Sequence, residues 1–206
     1  MEVQPIANVS QSPSSSSGQL TVKRLLRFAI SKPSLRDGVV VYCIGKLAAW
    51  LTATPDAKEY CHCELLFEDD RCFGITTGGL HYVKRSLMLD EYEFFGTRID
   101  EKAYLQLVEY CTRAIEESSF QFSSLKAVLR HLFFGRYLTR LWSPKTTFCS
   151  ELVVYVLHEN GIFKDLPIAE ATPNGLAHYI IHRMATCETY ICCGPVLGKP
   201  VVIDIA

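Results

Sequence analysis

The stretch YCHCELLFEDD, residues 60–70, sets a histidine between two cysteines, with a glutamate two residues further on. Its apolar run and acidic close predict a buried strand that ends in a turn at Asp69-Asp70. Side chains alternate across a strand, so His62 and Glu64 share one side while Cys61 and Cys63 take the other. A carboxylate beside an imidazole fixes its tautomer and stabilises the imidazolium. The pair therefore reads as a general base with its orienting acid, and it calls for a nucleophile.

Cysteines stand at 43, 61, 63, 72, 111, 149, 187, 192 and 193. A thiol becomes nucleophilic at a helix N-terminus or beside an imidazolium. Cys149 meets the first condition, because SPKTTFCSELVVYVL passes from loop to helix at that residue. Thr146, Thr147 and Ser150 are all able to cap. The helix dipole favours a thiolate there, and free N–H groups at the same helix start suit an oxyanion. Cys149, His62 and Glu64 thus make a coherent set of nucleophile, base and orienter.

The rest of the chain supplies a frame for that set. LTVKRLLRFAISK, residues 20–32, has Val22, Leu25, Leu26 and Ala29 at helical spacing and predicts a helix closed by Pro33. RDGVVVYCIG predicts a strand at about 38–44, with a short helix over 46–53. RCFGITT, LHYVKRS and YEFFGTRI continue as strands joined by tight turns, which suggests an antiparallel meander. Helices are predicted at 101–118, 123–142, 149–161 (closed by Asn160-Gly161) and 172–184, with closing strands at 188–193 and 200–205. The expected class is α+β, with an antiparallel sheet packed against the helix that bears Cys149.

CSELV at a helix start, with a histidine on a strand of the β-region, resembles the NlpC/P60 branch of papain-like thiol hydrolases. His62 precedes Cys149 by 87 residues. That order is similar to the circularly permuted members: the bacterial YaeF/YiiX-like group, the poxvirus-type relatives and, more distantly, the lecithin–retinol acyltransferases. RDGVVVY looks like the strand that opens such domains, and TPNGLAHYI like the helix after the cysteine helix. The resemblance spans roughly residues 35–185. It implies a permuted papain-like fold, with Cys149 as nucleophile and His62 as base. It also implies a third polar residue on the strand after the histidine strand, Thr76 or His81, whereas the His62–Glu64 spacing favours Glu64. The acyltransferase NCEHF signature is absent.

Composition bounds the remaining possibilities. The 206 residues fit a disordered Ser-rich tail, 1–19, and a single domain, 20–206. A net charge of −1 makes no overall case for nucleic acid. The N-terminal sequence lacks a secretory pattern and the cysteine count is odd, so reduced thiols in a cytoplasmic setting are expected. Cys61, His62 and Cys63 lack a second spaced ligand pair, so neither metal nor cofactor is expected. Residues 20–36 and 123–145 each carry five Lys or Arg and no acid, which suggests peripheral contact with anionic membrane. The reading is a cysteine hydrolase or acyltransferase cleaving an amide, ester or thioester in a peptide, acylated-protein or lipid substrate. The alternative is a catalytically inactive papain-like module that docks a protein or membrane partner.

Overall fold

In the computed structural model, residues 22–57, 59–84, 91–123, 126, 145–166, 171–186 and 191–193 are described. Strand β1 (Lys23–Ser31) is followed by a 3₁₀ turn (Leu35–Asp37) and helix α1 (Val39–Leu51). Strands β2 (His62–Leu66), β3 (Arg71–Thr76), β4 (Gly79–Lys84) and β5 (Tyr92–Asp100) come next. Helix α2 (Glu101–Glu116), short strands β6 (Gln121–Phe122) and β7 (Thr146–Thr147), and helix α3 (Cys149–Glu159) follow. Helix α4 (Pro173–Thr186) and strand β8 (Ile191–Cys193) complete the described elements. The large sheet has the order β4-β3-β2-β1-β5-β8, and all its pairings are antiparallel. The class is α+β, with an antiparallel sheet and several helices.

Two neighbouring elements reverse the sequence expectation. Residues 23–31 form a strand, not a helix, and residues 39–51 form a helix where a strand was expected at about 38–44. β1 lies between β2 and β5, and its second half is buried on both faces. A strand covered on both sides loses the polar/apolar alternation that would reveal it. The Val39–Val41 run favours a strand only where neighbouring strands take its hydrogen bonds. Both sides of β1 are already occupied, and residues 39–51 satisfy their backbone internally as a helix. The helix leaves Val39, Val40, Ile44 and Leu47 exposed, and Trp50 is 73% exposed.

Cross-strand register divides the sheet into two kinds of row. Tyr82, Phe73, Leu65, Phe28 and Phe95 line up across β4, β3, β2, β1 and β5. They belong to the apolar core, with Leu107 and Cys111 of α2 and Leu152, Val153, Val156 and Leu157 of α3. Truncating a side chain such as Phe28 there costs about 3–5 kcal/mol. One residue along, on the other face, Ala29 pairs Glu64 and Gly74 pairs His81. The β2–β3 register, Leu65 to Phe73, then sets Glu64 opposite Gly74. The core face is apolar, and the adjacent row gathers two ionisable groups around small residues.

Helices expected at 101–118, 149–161 and 172–184 correspond to α2, α3 and α4, and the strand at 188–193 includes β8. Helix α3 ends in the expected way: Gly161 at φ 76° donates to the His158 carbonyl, and Ile162 donates to that of Leu157. That double bond closes a Schellman turn. The helix expected over 123–142 and the strand at 200–205 lie outside the described residues, Ser123 and Lys126 excepted. Among the described residues no helix is long and apolar enough to cross a membrane.

Candidate active site

His62 is the first residue of β2 and Cys149 the first of α3, and α3 packs on β2 and β3. The two element starts bring thiol and imidazole into hydrogen-bonding contact. His62 Nε2 lies 2.9 Å from Glu64 Oε1. The second carboxylate oxygen of Glu64 faces His81 Nε2 at 3.3 Å. Cys149, His62 and Glu64 are therefore brought together, with His81 behind them. Of the two other third-residue candidates, His81 lies in this cluster on the far side of Glu64. Thr76, at the end of β3, instead accepts a turn hydrogen bond from the Gly78 N–H at 3.2 Å.

Burial makes these contacts strong. The Glu64 side chain is 0% exposed, and Cys149 retains 7% of its surface. In such surroundings a bare charge is costly and a paired one is strongly held. Burial alone pushes His62 down, but Cys149 and Glu64 outweigh it and raise His62 to about 10. A hydrogen bond from the Cys63 thiol lowers Cys149; burial opposes it, and His62 adds to the lowering. The net result holds Cys149 well below the ordinary thiol range. Cys63 moves the other way, pushed well up by its own burial and by Cys149. The favoured state is a Cys149 thiolate facing a His62 imidazolium, with Cys63 protonated as donor.

Two participants escape the sequence reading. Cys63 is not an incidental core residue, since both its thiol and its backbone N–H donate to the Cys149 sulfur. Alternation does place it on the face opposite His62, and that is the face on which α3 packs. Gly74 is the second. A Cβ there would sit 2.8 Å from Glu64 Cγ and 3.3 Å from His81 Nε2, so only glycine leaves room for both groups. No linear spacing announces Gly74; its role comes from cross-strand register.

The start of α3 is held without a side-chain cap. Phe148 occupies the N-cap position and its side chain makes no cap bond. Thr147 Oγ1 instead donates to Glu151 at 3.1 Å, and Ser150 Oγ to the Ala171 carbonyl at 2.8 Å. Lys126 Nζ, nearly buried, pairs Glu151 at 2.9 Å. The Cys149 and Ser150 N–H groups have no partner within the helix by its geometry. They lie beside the thiolate, where an oxyanion would form.

The basic stretch 20–36 is largely ion-paired. Arg24 meets Glu68 at 2.9 Å, Arg27 meets Asp70 at 3.2 Å, Lys32 meets Glu93 at 2.7 Å and Arg36 meets Glu91 at 3.3 Å. Most of 123–145 lies outside the described residues. Comparison with family models, with curated proteins and with solved structures finds no match for the chain in any of the three.

Proposed function

We propose that the protein is a cysteine-dependent hydrolase or acyltransferase with a circularly permuted, papain-like architecture of the NlpC/P60 type. The observation that carries this reading is the buried Cys149–His62–Glu64 chain, with the sulfur at a helix start. The histidine-before-cysteine order supports the permuted form. In the reaction, the Cys149 thiolate attacks the carbonyl carbon of an amide, ester or thioester, and the π electrons move to oxygen. The Cys149 and Ser150 N–H groups face that oxyanion. Collapse expels the leaving group, which takes the His62 proton and leaves an acyl-cysteine. Water, or an acyl acceptor, then gives its proton to His62 as it attacks, and the thiolate departs. Glu64 acts through His62 as a positioning residue.

The exposed apolar side of α1 supports an acyl-bearing substrate. A Cβ on Gly45 of this helix would lie 3.5 Å from the Cys61 sulfur, so α1 runs beside the residue that precedes His62. Val40, Ile44 and Trp50 thus offer apolar surface on a helix next to the catalytic strand. The test is labelling of the whole chain with an acyl-fluoride probe, mapped by mass spectrometry. The expected result is a mark on Cys149 that disappears in Cys149→Ala; an even spread over several cysteines overturns the reading. A second reading, an inactive docking module, is favoured by the 7% exposure of Cys149 together with the bare face of α1. It predicts no labelling of Cys149 and partner binding that survives Cys149→Ala.

A further inference from the structure

A second group of titratable side chains stands apart from the thiol cluster. His178 and His182 are one turn apart on α4, so their rings project from the same side of the helix. Their centroids are 4.1 Å apart. Asp56 comes from the segment between α1 and β2. Its Oδ2 lies 2.7 Å from His182 Nε2 and 3.2 Å from His178 Nδ1. The three ligand atoms fall within 4.8 Å of one another, which among the described residues happens at this one group.

We propose that Asp56, His178 and His182 form a binding site for a divalent transition-metal ion of the zinc class. Two imidazoles and a carboxylate are the donors such borderline ions take, and three protein ligands leave one position open. Tetrahedral bonds of about 2.0–2.1 Å hold ligand atoms about 3.4 Å apart, so small side-chain rotations open this cluster to the required size. The His178 Nδ1 atom is sealed from solvent and makes no well-directed hydrogen bond, although it faces Asp56. A metal between the two groups would take this nitrogen as a ligand once its proton is lost.

The surroundings hold the ligands ready. Asp56 sits in a tight turn, where Thr54 N–H donates to the Ala57 carbonyl at 2.8 Å and Ala57 N–H to Thr54 Oγ1 at 3.1 Å. A hydrogen bond from His182 lowers the Asp56 carboxyl, and burial opposes it. Asn174, one turn before His178, fixes the same segment: it donates to the Ala49 carbonyl and to Thr52 Oγ1, both at 2.9 Å. It also accepts from Tyr60 N–H at 3.0 Å. The metal would thus fasten α4 to the segment that leads into His62, in series with Asn174.

Cobalt(II) titration of the untagged full chain tests the site. Co²⁺ is expected to bind with visible d–d absorption typical of nitrogen and oxygen ligands. Asp56→Asn, His178→Ala and His182→Ala should each weaken binding by at least about tenfold. Zn²⁺ should raise the melting midpoint of the parent chain in a concentration-dependent way and leave each variant unmoved. Diethyl pyrocarbonate footprinting of the parent chain needs no variant: Zn²⁺ should protect His178 and His182 from modification. The proposal is overturned by a thiolate-to-cobalt charge-transfer band, which would place the ion on cysteines. It is equally overturned by unchanged binding in all three variants, by unprotected His178 and His182, or by no binding at micromolar metal.

Discussion

Glu64 and Asp56 each stand between two imidazoles. Glu64 takes His62 at 2.9 Å and His81 at 3.3 Å; Asp56 takes His182 at 2.7 Å and His178 at 3.2 Å. Residue types and distances nearly coincide, so the surroundings make the difference. Glu64 is fully buried and its His62 also meets a thiol. In that low-dielectric pocket each charge depends on its neighbour, and proton positions follow from the whole cluster. Asp56 keeps 46% of its side-chain surface, and His182 keeps 58%. Water screens the Asp56 and His182 charges, while His178 Nδ1 stays sealed from solvent. On the proposed readings, burial suits the first group to proton transfer and exposure suits the second to ligand capture.

The contrast breaks most sharply at the sulfur. Cys149→Ala should reduce turnover of any acyl substrate by at least about 10³-fold while the fold survives, as removal of a nucleophile does elsewhere. Turnover assays paired with a thermal melt check this. A variant that keeps more than a tenth of the parent rate would remove the thiol from the chemistry and reduce the buried group to a structural one.

Next in size is Glu64. Glu64→Ala strands two imidazoles in the interior and should cost about 3–5 kcal/mol, read by denaturant unfolding. Glu64→Gln keeps the shape and removes the charge that helps raise His62. His62 is raised to about 10 from 6.5, so its share of stability is complete below pH 6.5 and is lost as pH rises through about 10. Cys149 is lowered, so its share is present above the ordinary thiol range and is lost as pH falls through its lowered value. Cys149 alkylation in the parent chain should therefore stay fast through neutral pH and slow only on the acid side. In Glu64→Gln that acid limb should move to higher pH. A limb left in place would mean that Glu64 does not act through His62.

Gly74→Ala is the smaller probe of the same pocket. The added methyl would sit 2.8 Å from Glu64 Cγ, and overpacking of this kind costs about 1–3 kcal/mol. The carboxylate should be pushed off His62, so the acid limb should shift in the same direction as in Glu64→Gln but by less. Lost stability with an unmoved limb would make Gly74 a packing residue only.

These residues differ in how far the sequence announces them. His62 and Glu64 sit two apart on a strand, and Cys149 opens a helix, so each is legible from local periodicity. Gly74 and Cys63 are not, because their roles arise where strands and helix meet across a long chain separation. The expectations for β1 and α1 failed for a related reason. Phe28, Ala29, Ile30 and Ser31 are all buried in succession, and that run hid the strand period. The valines of α1 carried a strand preference, but β1, the strand just before them, is already paired on both sides by β2 and β5. His178 and His182 stand four apart on an expected helix, but the sequence names no partner for either: Asp56 lies 122 residues before His178 and only the fold supplies it.

The smallest expected effect lies on the exposed side of the comparison. Without metal, Asp56→Asn should change the melting midpoint far less than Glu64→Gln does, because solvent already screens the charges it removes. Its sign is set by the lowered carboxyl: the contribution is present above the ordinary carboxylate range and is lost as pH falls through it. The difference between parent and Asp56→Asn should therefore vanish in acid and shrink with added salt, whereas the Glu64→Gln difference should resist salt. With Zn²⁺ the gap should widen, since the ion stabilises the chain that binds it by mass action and cannot act on one that has lost a ligand. Thermal melts at low and high salt, with and without Zn²⁺, test all of this. Equal salt sensitivity of the two variants would mean that burial is not what separates the two clusters.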